Sequence, residues 1–173
     1  GGSGGVGSIR WGGLRDLGNV TRLRLATMEA SPRVLELRGD DIQKAAHAYE
    51  TTGVIAEVEV PLAAHVPWTD VIVAFDTTMA AARFGHDLAH QDGLLTKEIA
   101  VVAASRADAC FLRHKRFLPG GKALAILMVA PAALAGVETL AARHGGETIL
   151  RGDRLTAEDR AGLPPAFELA WNH

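Results

Sequence analysis

The residues whose types and spacing could do chemistry stand first at the start of the chain. Gly1, Gly2, Ser3, Gly4, Gly5, Val6, Gly7 and Ser8 place five glycines in eight positions. With no Cβ in the way, such a run lets the main chain approach a ligand closely. Successive N–H groups can then form a concave nest for phosphate oxygens. Each charge-assisted hydrogen bond of this kind contributes about 1.5–3 kcal/mol, so a few together would hold a pyrophosphate. Gly1–Gly5 alone read equally well as a flexible linker. The continuation Val6-Gly7-Ser8-Ile9-Arg10-Trp11-Gly12-Gly13-Leu14-Arg15-Asp16 does not. It is not a nucleotide P-loop, because no Gly-Lys-Ser/Thr follows, and it lacks the spacing and preceding strand of a Rossmann fingerprint.

Three further groups carry side chains capable of chemistry. His86 and His90 stand at i and i+4 and in principle could share a metal. The zinc-protease pattern needs Glu after the first histidine, and Asp87 has a shorter reach. No third ligand follows at a useful spacing, so the pair reads as a solvated helix face, with no metal expected. Cys110, the only cysteine, reads as a buried structural thiol, because no partner base is identifiable. His114-Lys115-Arg116 reads as a solvated helix end, and less readily as a substrate-anion contact. Arg22, Arg24 and Arg38 fall on polar strand faces and are expected to be exposed.

The elements that must position these residues fall into two groups. Val20–Met28 and Arg33–Arg38 alternate apolar with polar residues and predict a hairpin around Ser31-Pro32. Asp40, with Gln43 three residues on, predicts a capped helix with Ile42, Ala45, Ala46 and Tyr49 on its apolar face. Thr51-Thr52-Gly53 breaks it, and Val54–Leu62 alternates as a further strand. This first unit is expected to span 1–63.

From residue 64 to 173 the pattern is strand and helix in alternation. Asp70–Phe75 is a continuous apolar run, as in a strand buried on both faces. Thr77 or Thr78 caps a helix to about Gln91, with Ala81, Phe84 and Leu88 inward and Gly93 as its stop. Ile99–Ala104, Lys122–Val129 and Glu147–Arg151 read as strands. Asp108–Lys115, Pro131–His144 and Pro165–Trp171 read as helices, the second with Pro at its start and Gly145 after its end. Thr156 with Asp159 caps a brief turn. Strands and helices of these lengths predict an α+β sandwich of ferredoxin-like kind.

Composition narrows the function classes. The 173 residues are 48% hydrophobic and 22% charged with net charge -2, so nothing electrostatic points to nucleic acid or an anionic membrane surface. Ala123–Ala135 is too short and interrupted by Pro131 to span a bilayer. No secretory signal opens the chain, and a single cysteine fits a reducing compartment; a cytoplasmic location is the expectation. The first residue is glycine, which points to a processed chain or a piece of a longer one.

Taken together, these motifs resemble the FAD-linked oxidases of the p-cresol methylhydroxylase and vanillyl-alcohol oxidase type. Relatives of that family include D-lactate and D-2-hydroxyglutarate dehydrogenases and the FAD subunit of glycolate oxidase. Gly4-Gly5 match the family's paired glycines, Trp11-Gly12 its aromatic-glycine and Arg15-Asp16 its Arg-Asp. Gly1-Gly2-Ser3 stand where the family has Thr-Asn-Ala. Thr52-Gly53-Val54-Ile55-Ala56-Glu57 resembles the later part of the motif that closes the family's flavin domain, with Glu50 and Ala56 as departures. Gly162-Leu163-Pro164-Pro165 and Trp171-Asn172-His173 resemble a segment of bacterial members.

The resemblance implies the second lobe of a flavin domain of that type over residues 1–63, then a partial ferredoxin-like substrate, or cap, domain over 64–173. It implies FAD as cofactor, contacted through Gly1–Ser8, Trp11, Gly53, Val54 and Ile55, and oxidation of a 2-hydroxy acid by hydride transfer to the flavin. It also implies a fragment: the family's Pro-Gly-Gly-Gly-Thr lobe is missing, and its catalytic and metal-binding histidines fall beyond His173. FAD binding would then be weak or absent in the isolated chain, which is expected to self-associate. The alternative is a non-enzymatic α+β module that dimerises or binds a small ligand; a zinc hydrolase built on His86 and His90 is a further rival.

Overall fold

Residues 18–46, 48, 51–62, 64–161 and 163–166 are described by the computed structural model of the chain. Two units emerge, Gly1–His65 and Val66–His173, and each contains one antiparallel sheet.

In the first unit, strands β1 (Arg22–Thr27), β2 (Val34–Leu37) and β3 (Gly53–Glu59) form a sheet with β1 in the middle. The alternation of β1 sorts its two faces. Leu23 and Leu25 are buried and pack with Ile42 and Ala45. Arg22 and Arg24 point the other way, into a ladder of carboxylates from both neighbours. Arg22 pairs with Glu36 at 3.3 Å and Glu59 at 3.0 Å, and Arg24 with Glu57. That face is solvated, so its pairs contribute little individually.

Two expectations for this unit are corrected. The capped α-helix from Asp40 is instead a 3₁₀-helix over Gly39–Lys44, preceded by Arg38 with no side-chain cap. Gly39 adopts φ +52, so the chain turns one residue early and Asp40 falls inside the helix. The tighter pitch, three residues per turn, still stacks Ile42 and Ala45 on one side. The second correction concerns β3, expected over 54–62, which instead runs Gly53–Glu59; along it only Gly53 is buried. A register shift between Arg24 and Leu25 leaves Ala56 unpaired opposite β1. Ile55 and Val58 sit opposite buried Leu25 and Leu23, but the short 3₁₀ segment does not cover them, and they remain 44% and 52% exposed.

The second unit runs β4 (Thr69–Phe75), α1 (Thr78–Ala89), β5 (Thr96–Val102), α2 (Ala104–Cys110), β6 (Ala123–Val129), α3 (Leu134–Arg143), β7 (Glu147–Arg151) and α4 (Ala157–Arg160). The sheet order is β5-β6-β4-β7, antiparallel throughout. With α1 and α3 as the crossing helices, this is the β-α-β-β-α-β arrangement of ferredoxin-like folds, with α2 added inside the β5–β6 connection.

The central pair β4 and β6 is apolar along its length because both of its faces are covered. On one face Val71, Val73, Phe75, Ala125 and Leu127 pack against Ala81, Phe84 and Leu88 of α1 and Val137 and Ala141 of α3. On the other, Ile72, Leu124 and Ile126 pack against Ala107, Phe111, Leu150 and Ala166. Thr77 caps α1 by accepting a hydrogen bond from the Ala80 N–H at 3.1 Å. α1 ends at His90, short of Gly93, since His90 N–H already bonds the Asp87 carbonyl and the turn closes without a glycine. Gly145, at φ +71, follows α3 as expected. The helix expected over Asp108–Lys115 begins four residues earlier, at Ala104, and continues as a 3₁₀ turn over Leu112–His114. Thr156 and Asp159 form a reciprocal capping box on α4. Among the described residues, no helix is long and apolar enough to cross a membrane.

Candidate functional sites

The sequence-derived cofactor residues divide into two sets. Gly1, Gly2, Ser3, Gly4, Gly5, Val6, Gly7, Ser8 and Trp11 lie outside the described residues. Gly53, Val54 and Ile55 open β3, an edge strand. Gly53 has φ +153, and a Cβ built there would stand 2.3 Å from the Ala26 carbonyl oxygen and 2.9 Å from Leu25 Cγ. Its glycine is therefore required by the pairing with β1 itself. Beyond it, alternate residues of an edge strand turn both N–H and C=O away from the ladder, free for another partner. Val54 is 55% exposed beside that edge, and Val34 lies across Ala26 from it.

A second candidate lies wholly within Val66–His173 and was not read from the sequence. The start of β4, the end of β7, α4 and residues 163–166 enclose a cleft of about 470 Å³. Most of its wall is apolar, from Met128, Leu150, Leu155 and Leu163, with Thr69, Asp70, His114, Asp153 and Arg160 among its polar members. Such a lining, apolar with a few converging polar groups, suits a small organic ligand. Two hydrogen bonds fix its rim: Asp70 Oδ2 accepts from the Ala166 N–H at 2.8 Å, and Arg160 Nη2 donates to the Gly152 carbonyl at 2.8 Å.

His114 is the correction to the solvated-helix-end expectation. It is 2% exposed, while Lys115 and Arg116 are exposed as expected. The residues Ala107, Phe111 and His114, at i, i+4 and i+7, share the face that packs on the sheet, a helical spacing that was available in the sequence. Burial pushes the imidazole below its ordinary range, opposed by a hydrogen bond to the Pro164 carbonyl and by the negative charge of Asp70. Its Nδ1 has no hydrogen-bond partner. A perturbed, incompletely satisfied histidine at a cleft is a mark of functional sites as well as of strain.

This has a consequence for stability against pH. A histidine held neutral in the fold takes up a proton more readily once unfolded. Stability is then full above the unfolded pKa of about 6.5 and falls as pH drops below it, toward the lower folded value. Urea melts at a series of pH values should show the second unit losing stability below that point. The change His114→Gln should flatten the slope; an unchanged slope would assign it to other groups.

Cys110, expected to be buried, is half-buried, with Sγ 3.9 Å from Arg106 Nη1. His86 and His90 are exposed on α1, and among the described residues no three His, Cys, Asp or Glu side chains cluster to hold a metal. No known family model and no curated protein matches the chain.

Proposed function

We propose that this chain is part of an FAD-dependent oxidoreductase of the p-cresol methylhydroxylase type. Residues 1–63 would be the C-terminal part of the flavin domain, and 64–173 a ferredoxin-like cap over the substrate. The reading rests on the motif resemblance, and one structural observation supports it. The segment expected to meet the cofactor, Gly53–Ile55, begins a strand that lies at the edge of the sheet among the described residues, with half-exposed Val54 and Ile55. Gly53 itself adds nothing to the cofactor case, because Ala26 accounts for it.

Bound FAD would supply the hydride acceptor. The chain's own part is placement: main-chain groups of Gly1–Ser8 for the pyrophosphate, and Val54 and Ile55 along the flavin. The cleft beside His114 gives the cap domain an imidazole that burial holds toward its neutral form, and Arg160 is the cation among its lining residues that would meet the carboxylate of a short 2-hydroxy acid. Anaerobic addition of short 2-hydroxy acids to the natural gene product should bleach its flavin absorption. A flavin that none of them reduces would remove the substrate class.

The same cleft favours one alternative, a ferredoxin-like module that binds a small ligand without redox chemistry. Flavin content separates the two readings.

Self-association belongs to this reading as well. β2, β3, β5 and β7 are edge strands, and β3 carries exposed Ile55 and Val58 on one face. Open apolar edges recruit other chains. Light scattering of the 173-residue polypeptide should give a mass above the monomer, lowered by Val58→Lys. A clean monomer would count against it.

A further inference from the structure

Spacing alone reads His86 and His90 as a solvated helix face, but the disposition of their rings carries more. Both are exposed on α1, one turn apart, with ring centroids 4.3 Å from each other and planes inclined by 32°. In each ring Nδ1 is already engaged. His90 Nδ1 lies 2.7 Å from the His86 carbonyl oxygen, and His86 Nδ1 lies 3.2 Å from Asp87 Oδ1. A carbonyl and a carboxylate only accept hydrogen bonds, so Nδ1 is the donor in each ring, and in the neutral form the lone pair is then on Nε2. This is how metal-binding histidines are oriented: a carboxylate or main-chain oxygen takes the far N–H and turns the other nitrogen to the ion. Asp87 is itself anchored, since its Oδ2 lies 3.0 Å from His144 Nε2 at the end of α3.

We propose that His86 and His90 form a bidentate site for a divalent transition-metal ion of the imidazole-preferring class, such as zinc. With no third protein ligand among the described residues, water fills the remaining positions. The site is then open and exchangeable, unlike the closed four-ligand sites that hold structural zinc. It is independent of the flavin reading.

The test is calorimetric titration of Zn2+ alone into the full 173-residue chain. The expected result is one ion per chain, with affinity reduced about tenfold or more by His86→Ala or His90→Ala, on the scale that loss of even an orienting partner produces. His65→Ala, remote in sequence and outside the pair, should bind as the unchanged protein does. Both histidines are exposed, so the variants keep the fold, which circular dichroism checks. Failure of the unchanged chain to bind zinc, or equal binding by the His86→Ala/His90→Ala double variant, would overturn the proposal.

Discussion

Gly53→Ala should unfold the three-stranded unit while leaving the second unit intact. The added Cβ meets the Ala26 carbonyl oxygen at 2.3 Å and Leu25 Cγ at 2.9 Å, and the backbone sits at φ +153, where side chains are strained. Neither neighbour yields easily, because Ala26 lies in the central strand and Leu25 is a core residue. Backbone strain of this kind costs about 1–3 kcal/mol and overpacking a further ~1–3 kcal/mol. The unit has few resources to absorb that, since its buried cluster is Leu23, Leu25, Ile42 and Ala45. Hydrogen exchange followed by mass spectrometry should show protection lost across 22–59 and kept across 69–151. Unchanged protection in the first segment would show that the strand pairing drawn here is wrong.

The largest effect in the second unit is expected from Phe84→Ala. Phe84 is fully buried, 5.2 Å from the Phe75 ring, and lies between α1, β4 and the His144 ring at the end of α3. Removing a buried phenyl ring costs about 3–5 kcal/mol through lost transfer energy and the cavity left behind. Denaturant melts should show that loss, whereas Met79→Ala on the exposed side of the same helix should stay within about 0.5 kcal/mol of the parent. A loss under about 1 kcal/mol at Phe84 would mean the face of α1 has been misassigned.

How much of this was legible depended on whether local pattern and tertiary environment agreed. The apolar run of β4 announced burial on both faces, and both faces are covered. The caps at Thr77 and Thr156 were readable because a side chain binding its own helix end needs no distant partner. The exposure of β3 was not legible, because alternation reports which residues share a face, not whether anything covers that face. The Asp40 helix was misread because Gly39 in a positive-φ conformation starts the turn before the apparent cap.

The candidate sites divide along the same line. Gly53 looked like a ligand-approach glycine, but the constraint comes from Ala26 on the neighbouring strand, a pairing no local motif encodes. His114 looked like one of three solvated basic residues. Its place on the face of Ala107 and Phe111 was legible in the spacing, but the Pro164 carbonyl that its ring meets comes from 50 residues away in the chain and was not. The ring tautomers of His86 and His90 are likewise set by acceptors whose orientation spacing does not reveal.

The proposed flavin site draws on main-chain groups of Gly1–Ser8 and of Val54 and Ile55. Flavin content of the natural gene product tests it most directly. One FAD per chain, released on denaturation as FAD and not as FMN, is the expected result. A colourless protein that takes up no flavin from an FAD solution would contradict it.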